Sequence, residues 1–298
     1  MADTVQSEET TVKINGVEIT YDTFGDPDAS PMLLIMGLST QMIFWDEVFC
    51  KEIASRGYWV IRFDNRDVGL STKFDEAGIP DLMEMIMKVQ QGEEVEAPYK
   101  ILDMTNDAKG LLDVLQIEAA HIVGASMGGM IAQTMAIHYP ERVRTLTSIM
   151  STTSNPELPQ PGPEAISILI TPPPSDRAEY IEQSVESWRF LNGKLPFDED
   201  LIRERSGRAF DRSYYPPGAG RQLAAILASG SRKDELKNVK VPTLVIHGDA
   251  DPLVPVEGGK ETAEVIPGAK LLIIEGMGHS IPSVVAPKII EAIINHAV

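Results

Sequence analysis

Residues 119–138 read AAHIVGASMGGMIAQTMAIH. The apolar run 119–123 predicts a short buried strand. Gly124-Ala125-Ser126-Met127-Gly128 follows, and the small, apolar residues 129–137 predict a helix. A strand that turns sharply into a helix around Gly-x-Ser-x-Gly is the elbow that presents a nucleophilic serine. The reason is steric. Ser126 must sit on a strained turn so that its hydroxyl stands clear of the chain, and the glycines on either side let strand and helix pass closely. The turn also sets Ser126 at a helix N-terminus, where free N–H groups favour developing negative charge. A five-letter motif recurs by chance, so it counts only with its flanks and with partners elsewhere.

Working outward, the chain alternates strand and helix. Residues 11–24 alternate apolar and polar about Asn15-Gly16, a two-residue hairpin signal. Gly25-Asp26-Pro27 closes it. Residues 32–36, MLLIM, predict a strand buried on both faces, and 58–63 another, with a helix over 44–55 between them. Helices are expected over 82–91, where Leu82, Met83, Ile86 and Met87 form an apolar stripe, and over 99–115. Residues 143–150, 241–247 and 271–275 predict further strands, and 283–297 a final helix. This pattern predicts an α/β fold: a mostly parallel sheet with helices on both faces.

One stretch interrupts it. Seven prolines fall between 156 and 174, followed by short amphipathic helices near 178–191, 199–206 and 221–229. Residues 155–235 are therefore expected to form an inserted helical lid, between core segments 1–154 and 236–298.

A serine nucleophile needs a base, and the base needs a carboxylate. The expected chain order is Ser, acid, His, each on a loop after a strand. His247-Gly248-Asp249-Ala250-Asp251-Pro252 follows one strand, and Gly276-Met277-Gly278-His279-Ser280 follows the last. His279 is the expected base. Asp249 and Asp251 compete as the acid; Asp251 is favoured because the proline after it fixes the loop, leaving Asp249 a turn role. Of the other four histidines, His121 and His247 are expected to pack or shape loops, His138 to end a helix, and His296 to lie near the terminus. No pair has metal-ligand spacing, and no cofactor is required. The oxyanion donors are expected to be the N–H groups of Met127 and of Leu38, in the loop after MLLIM. Met36, Gly37, Trp188 and Tyr214 are candidate substrate contacts. The charged loop 64–71 holds Asp64 and Asp67, for which an ion pair with Arg66 is expected rather than catalysis.

Composition narrows the partners. The chain has 298 residues, 43% hydrophobic, and a formal net charge of -18. That charge opposes binding to nucleic acid. The lone Cys50 permits no internal disulfide and is expected to be buried. No apolar run is long enough to span a bilayer, and the polar N-terminus has no signal-peptide core, so the cytoplasm is the expected location. The expected partner is a small-molecule ester, with neither nucleic acid nor membrane involved; the oligomeric state is left open.

Together these motifs resemble the α/β-hydrolase family over essentially the whole chain. Within it, the chain resembles the aclacinomycin methylesterase group through Phe24-Gly25-Asp26-Pro27, Met36-Gly37, Trp188-Arg189, Pro196-Phe197-Asp198, Gly276-Met277-Gly278-His279 and Pro282-Ser283. The resemblance implies an eight-stranded sheet, a helical lid and ester hydrolysis through an acyl-enzyme. The same three residues would also serve a lactonase or a proline iminopeptidase. The latter would need a carboxylate such as Glu179, Glu182 or Glu186 to grip a free amine. A non-catalytic ligand receptor on the same scaffold is the reading from a different class.

Overall fold

The computed structural model describes residues 5–297. The first four residues of the acidic N-terminal stretch, and Val298, lie outside them. The strands are β1 (Thr10–Ile14), β2 (Val17–Phe24), β3 (Ser30–Ile35), β4 (Tyr58–Phe63), β5 (Ala120–Ala125), β6 (Val143–Ile149), β7 (Thr243–Gly248) and β8 (Lys270–Ile274). They form one 8-stranded sheet in the order β1-β2-β4-β3-β5-β6-β7-β8. β1 and β2 pair antiparallel, β2 meets β4 antiparallel, and every pairing from β4 to β8 is parallel. The β1–β2 turn is the Asn15-Gly16 dipeptide, at φ 50° and 86°, the left-handed pair that matches strand twist.

The helices are α1 (Glu47–Ser55), α2 (Leu82–Gln90), α3 (Ile101–Val114), α4 (Met127–His138), α5 (Pro163–Ile170), α6 (Arg177–Leu191), α7 (Glu199–Arg212), α8 (Pro217–Ser229), α9 (Lys233–Leu236), α10 (Val256–Val265) and α11 (Ala286–His296). Strand alternation divides the core in two. Leu33 and Ile35 of β3 face the cluster that holds Leu111 of α3 and Ile131 of α4. Met32 and Leu34 face the cluster that holds Cys50 and Ile53 of α1 and Ile289 and Ile293 of α11. Each fully buried Leu or Ile contributes about 1.5–3 kcal/mol, which is why MLLIM has no polar position. Cys50 is fully buried, and burial pushes its thiol far above the ordinary range.

α2 forms where the stripe Leu82, Met83, Ile86, Met87 marks a helix, although Met83 and Met87 are 54% and 51% exposed and Met85 is the buried residue. Periodicity finds a stripe but not which side meets the core. One expectation fails locally: Arg66 pairs with neither Asp64 nor Asp67. It makes a bidentate pair with Asp107 of α3, at 2.6 and 2.8 Å.

The two aspartates instead hold the segment inserted between β6 and β7, which carries α5–α8. Asp67 receives Arg221 of α8 through two bonds of 2.8 Å. Asp64 receives Arg212, the last residue of α7, at 2.7 Å. Arg212 also donates to Glu9 near the start of the chain, at 2.9 Å, and to Gln41 at 2.8 Å. α5 lies inside the proline-rich stretch where no helix is expected; Pro163 occupies its first turn, where the missing N–H is harmless. α6 and α7 are capped by Asp176 and Asp198, whose carboxylates accept from the first-turn N–H groups. α7 runs six residues beyond the 206 expected, to Arg212.

Candidate active site

β5 delivers Ser126 at φ 55° and ψ -120°, a strained conformation for a residue with a side chain. The neighbouring glycines are demanded by close approach. A Cβ at Gly124 would lie 2.1 Å from the Gly128 carbonyl oxygen, and one at Gly128 would lie 2.0 Å from that of Ile35. β5, α4 and β3 therefore meet backbone to backbone at the elbow. Ser126 N–H donates to Ile149 O at 2.9 Å, pinning the turn to the end of β6.

The loops after β7 and β8 bring two more side chains to this edge. His279 Nε2 lies 2.8 Å from Ser126 Oγ, and His279 Nδ1 lies 2.7 Å from Asp251 Oδ2. With Asp251 ionised, Nδ1–H donates to the carboxylate and Nε2 is free to accept the serine proton. Asp251 Oδ1 accepts the N–H groups of Leu253 and Val254 at 2.9 and 2.8 Å. Burial alone would raise the Asp251 carboxyl. His279 and His247 more than offset it and hold it far below the usual carboxylate range. Asp249 does not join this chain; its Oδ1 accepts Gly276 N–H at 2.6 Å and so ties the two loops together.

His247 sits behind Asp251. Its Nε2 lies 2.8 Å from Val254 O and 3.5 Å from Asp251 Oδ2. The ring is fully buried, and a Cβ at Gly259 would lie 2.4 Å from its Nδ1. It shapes the loop that carries Asp251. Of the other three histidines, His121 bonds Thr145 Oγ1 at 2.9 Å, His296 bonds Pro242 O at 3.1 Å, and His138 is exposed.

The loop after β3 covers Ser126 from the other side. A Cβ at Gly37 would lie 3.1 Å from that of Ser126. Within this loop Ser39 N–H donates to Gln222 Oε1 at 2.7 Å and Thr40 N–H to Gly37 O at 3.4 Å. Leu38 N–H has no hydrogen-bond partner among the described residues. Met127 opens α4, so its N–H has no intrahelical acceptor. Both N–H groups expected to receive an oxyanion are thus unengaged within the loop and the helix.

Sequence reasoning missed two residues that set this geometry. Gln222 of α8 is fully buried; it holds Ser39 N–H with Oε1 and Arg66 O with Nε2, at 2.7 Å each. The end of α6 grips the histidine loop: His279 N–H donates to Leu191 O at 2.6 Å, Gly278 N–H to Asn192 O at 3.1 Å, and Ser280 Oγ–H to Asn192 Oδ1 at 3.0 Å. No local signal could reveal either, because each joins the insert to a loop remote in sequence.

Ser126 and His279 open onto a cavity of about 850 Å³ between the sheet edge and α2, α5, α6 and α8. Met36, Gly37 and Trp188 line it, and Trp188 stacks on Phe44 at 5.5 Å. Tyr214 does not: its hydroxyl donates to Pro173 O, and its ring packs behind Tyr180. Met130 and Met150 reach the cavity wall, whereas Met127 is wholly in the core. Glu179, Glu182 and Glu186 are exposed on the outer side of α6, and Glu182 pairs with Arg203. None of the three is placed to grip an amine in the cavity. No described helix is long and apolar enough to cross a membrane.

Comparison with known proteins returns a consistent group. A family model described as alpha/beta hydrolase fold matches residues 30–283. The rhodomycin D methylesterase DauP of a Streptomyces species is 31% identical, over 94% of this chain and 95% of that protein. The 3-oxoadipate enol-lactonase 2 of Acinetobacter baylyi is 26% identical over 89% of this chain and 88% of its own. The crystal structure of an enol-lactonase from Burkholderia xenovorans superposes with a TM-score of 0.72, at 21% identity, covering 96% of this chain and 99% of that one.

Proposed function

We propose, for a chain that belongs to the alpha/beta hydrolase family, that it hydrolyses carboxylic esters through a covalent acyl intermediate on Ser126. The observation that carries this reading is the continuous hydrogen-bonded chain from Ser126 Oγ through His279 to Asp251, in the wall of a cavity of about 850 Å³.

The steps follow from the atoms. His279 Nε2 takes the Ser126 proton as Oγ attacks the ester carbonyl. The imidazolium that forms is stabilised by the Asp251 carboxylate, which does not itself take the proton. The carbonyl oxygen becomes an oxyanion facing the N–H groups of Met127 and Leu38. One such donor contributes ~3 kcal/mol of transition-state stabilisation. The imidazolium returns its proton to the departing alkoxide, and the alcohol leaves. Water enters, gives a proton to the same nitrogen and attacks the acyl carbon. Collapse releases the acid and restores Ser126. No cofactor enters these steps.

Identity over nearly the whole of a named methylesterase supports ester cleavage. A second reading, lactone hydrolysis, is supported by the enol-lactonase relative; it needs the same groups, with the alkoxide staying tethered. Parallel assays on acyclic esters and on lactones of matched size separate the two. The decisive test is Ser126→Ala. We expect turnover of p-nitrophenyl butyrate to fall at least ~10⁴-fold with an unchanged circular dichroism spectrum. Near-normal turnover by a folded Ser126→Ala protein would sink the assignment.

A further inference from the structure

Apart from His279 at the serine, the cavity wall carries no charged side chain: among the described residues, none that lines it is Asp, Glu, Lys or Arg, in a chain that is 23% charged. The polar positions are neutral hydrogen-bonding groups such as Gln90, Gln160, Gln183 and Ser187. Charged groups stop one layer behind. Arg232 stands behind Thr152 and Ser154, with its donors committed to Gln133 Oε1 at 3.2 Å and to Thr152 O and Ser154 Oγ at 2.9 Å each. Glu261 lies behind Asn155 and is taken up by Lys233 at 2.8 Å, Asn155 Nδ2 at 2.7 Å and the Thr153 hydroxyl. Arg232 is buried, and the contacts of both groups are to these neighbours and to Gly230 O. α2 adds a second observation. Ile86 and Val89 face the cavity, so its inner side is apolar, while the charged residues of this helix, Glu84 and Lys88, pair with each other on the exposed side.

A carboxylate or ammonium drawn into such a site would lose its hydration with no counter-charge to replace it. A neutral chain would lose nothing comparable, and the neutral polar groups could still orient it. At about 850 Å³ the volume is near the upper end of the range for small-molecule sites, far more than a short acyl group fills.

We propose that the substrate is uncharged over the whole part that enters this cavity: the protein selects bulky neutral esters and rejects isosteres carrying an anion or a cation. This rests on the ester-hydrolase reading above. The net charge of -18 by itself would repel anions but attract cations. The wall rejects both, and that difference makes the cause testable.

The experiment compares kcat/KM for three p-nitrophenyl esters of similar length: the hexanoate, the adipate half-ester with its free carboxylate, and the 6-aminohexanoate. We expect the two charged esters each to fall ~100-fold below the hexanoate, at both 0.05 and 0.5 M salt. Gln183→Arg, which places a cation on the wall, is expected to raise the adipate half-ester at least ~10-fold. A deficit under ~10-fold for either charged ester overturns the proposal. So does a deficit confined to the anion and abolished by salt, which would assign the selection to the protein's long-range field. If no ester turns over, the hydrolase reading falls on its own. Calorimetric binding of N-propylhexanamide and of its carboxylate-bearing isostere to Ser126→Ala then decides the charge preference: tighter binding of the neutral amide upholds it, and equal binding overturns it.

Discussion

The floor and the roof of the cavity are held mainly by different means. The floor rests on backbone N–H groups at strand ends. Ser126 is pinned by its own N–H to Ile149 O, Asp251 by two N–H groups of its own loop, and Asp249 by Gly276 N–H. The roof, α5–α8, meets the floor by backbone bonds where the end of α6 holds the histidine loop, and is otherwise tied down by long side chains: Arg221 to Asp67, Arg212 to Asp64, Arg205 to Asp46. Backbone bonds at strand ends fix atoms within narrow limits, as reacting groups require. Arginine pairs hold helices in place while leaving the residues between them free to vary. The floor therefore suits one chemistry and the roof suits the choice of substrate.

The largest effect that could break this contrast lies in the floor. Asp251→Asn keeps the acceptor for the loop N–H groups but leaves His279 in the wrong tautomer. We expect kcat to fall ~10⁴-fold with little change in urea midpoint. A large loss of stability instead would mean that Asp251 is mainly structural.

Next comes the roof. Arg221→Met would leave Asp67 buried against Tyr99 without its cation. We expect about 3–5 kcal/mol of destabilisation in urea unfolding, with KM rising more than kcat falls in the folded fraction. The double replacement with Asp67→Asn should recover part of that loss. If kcat alone collapsed, floor and roof would not be separable in the way described.

A smaller effect sharpens the picture of the floor. His121, in the strand that carries Ser126, is buried and its imidazole is pushed down to about 4, chiefly by burial. The unfolded chain binds that proton near 6.5. Stability from this group is therefore full above pH 6.5 and lost as the pH falls toward 4. Thermal unfolding of His121→Gln across that window should show a flatter acid limb than the parent, and identical limbs would count against it. The smallest effect belongs to the outer roof. Glu182→Gln removes an exposed partner of Arg203, and we expect no measurable shift in urea midpoint and unchanged kcat/KM.

The same contrast explains what the sequence discloses. The elbow is legible because its constraints are local: two glycines, a strand before, a helix after. The sheet is legible because 32–36 and 58–63 have no polar break or only Arg62, which Asp22 neutralises in the core. The roof is not. Asp67 and its partner Arg221 are 154 residues apart, while the arginine adjacent to Asp67 in sequence turns to Asp107. α5 hides among prolines that usually argue against a helix. Asn192 and Gln222 act only through contacts between the insert and the loops below.

Glu9 carries a consequence for anyone preparing this protein. Its carboxylate meets the same guanidinium that Asp64 holds, so the opening residues act as a guy-rope on α7. Trimming the polypeptide back to Thr10 would be felt some two hundred positions later, in how firmly the ceiling over the serine stays shut.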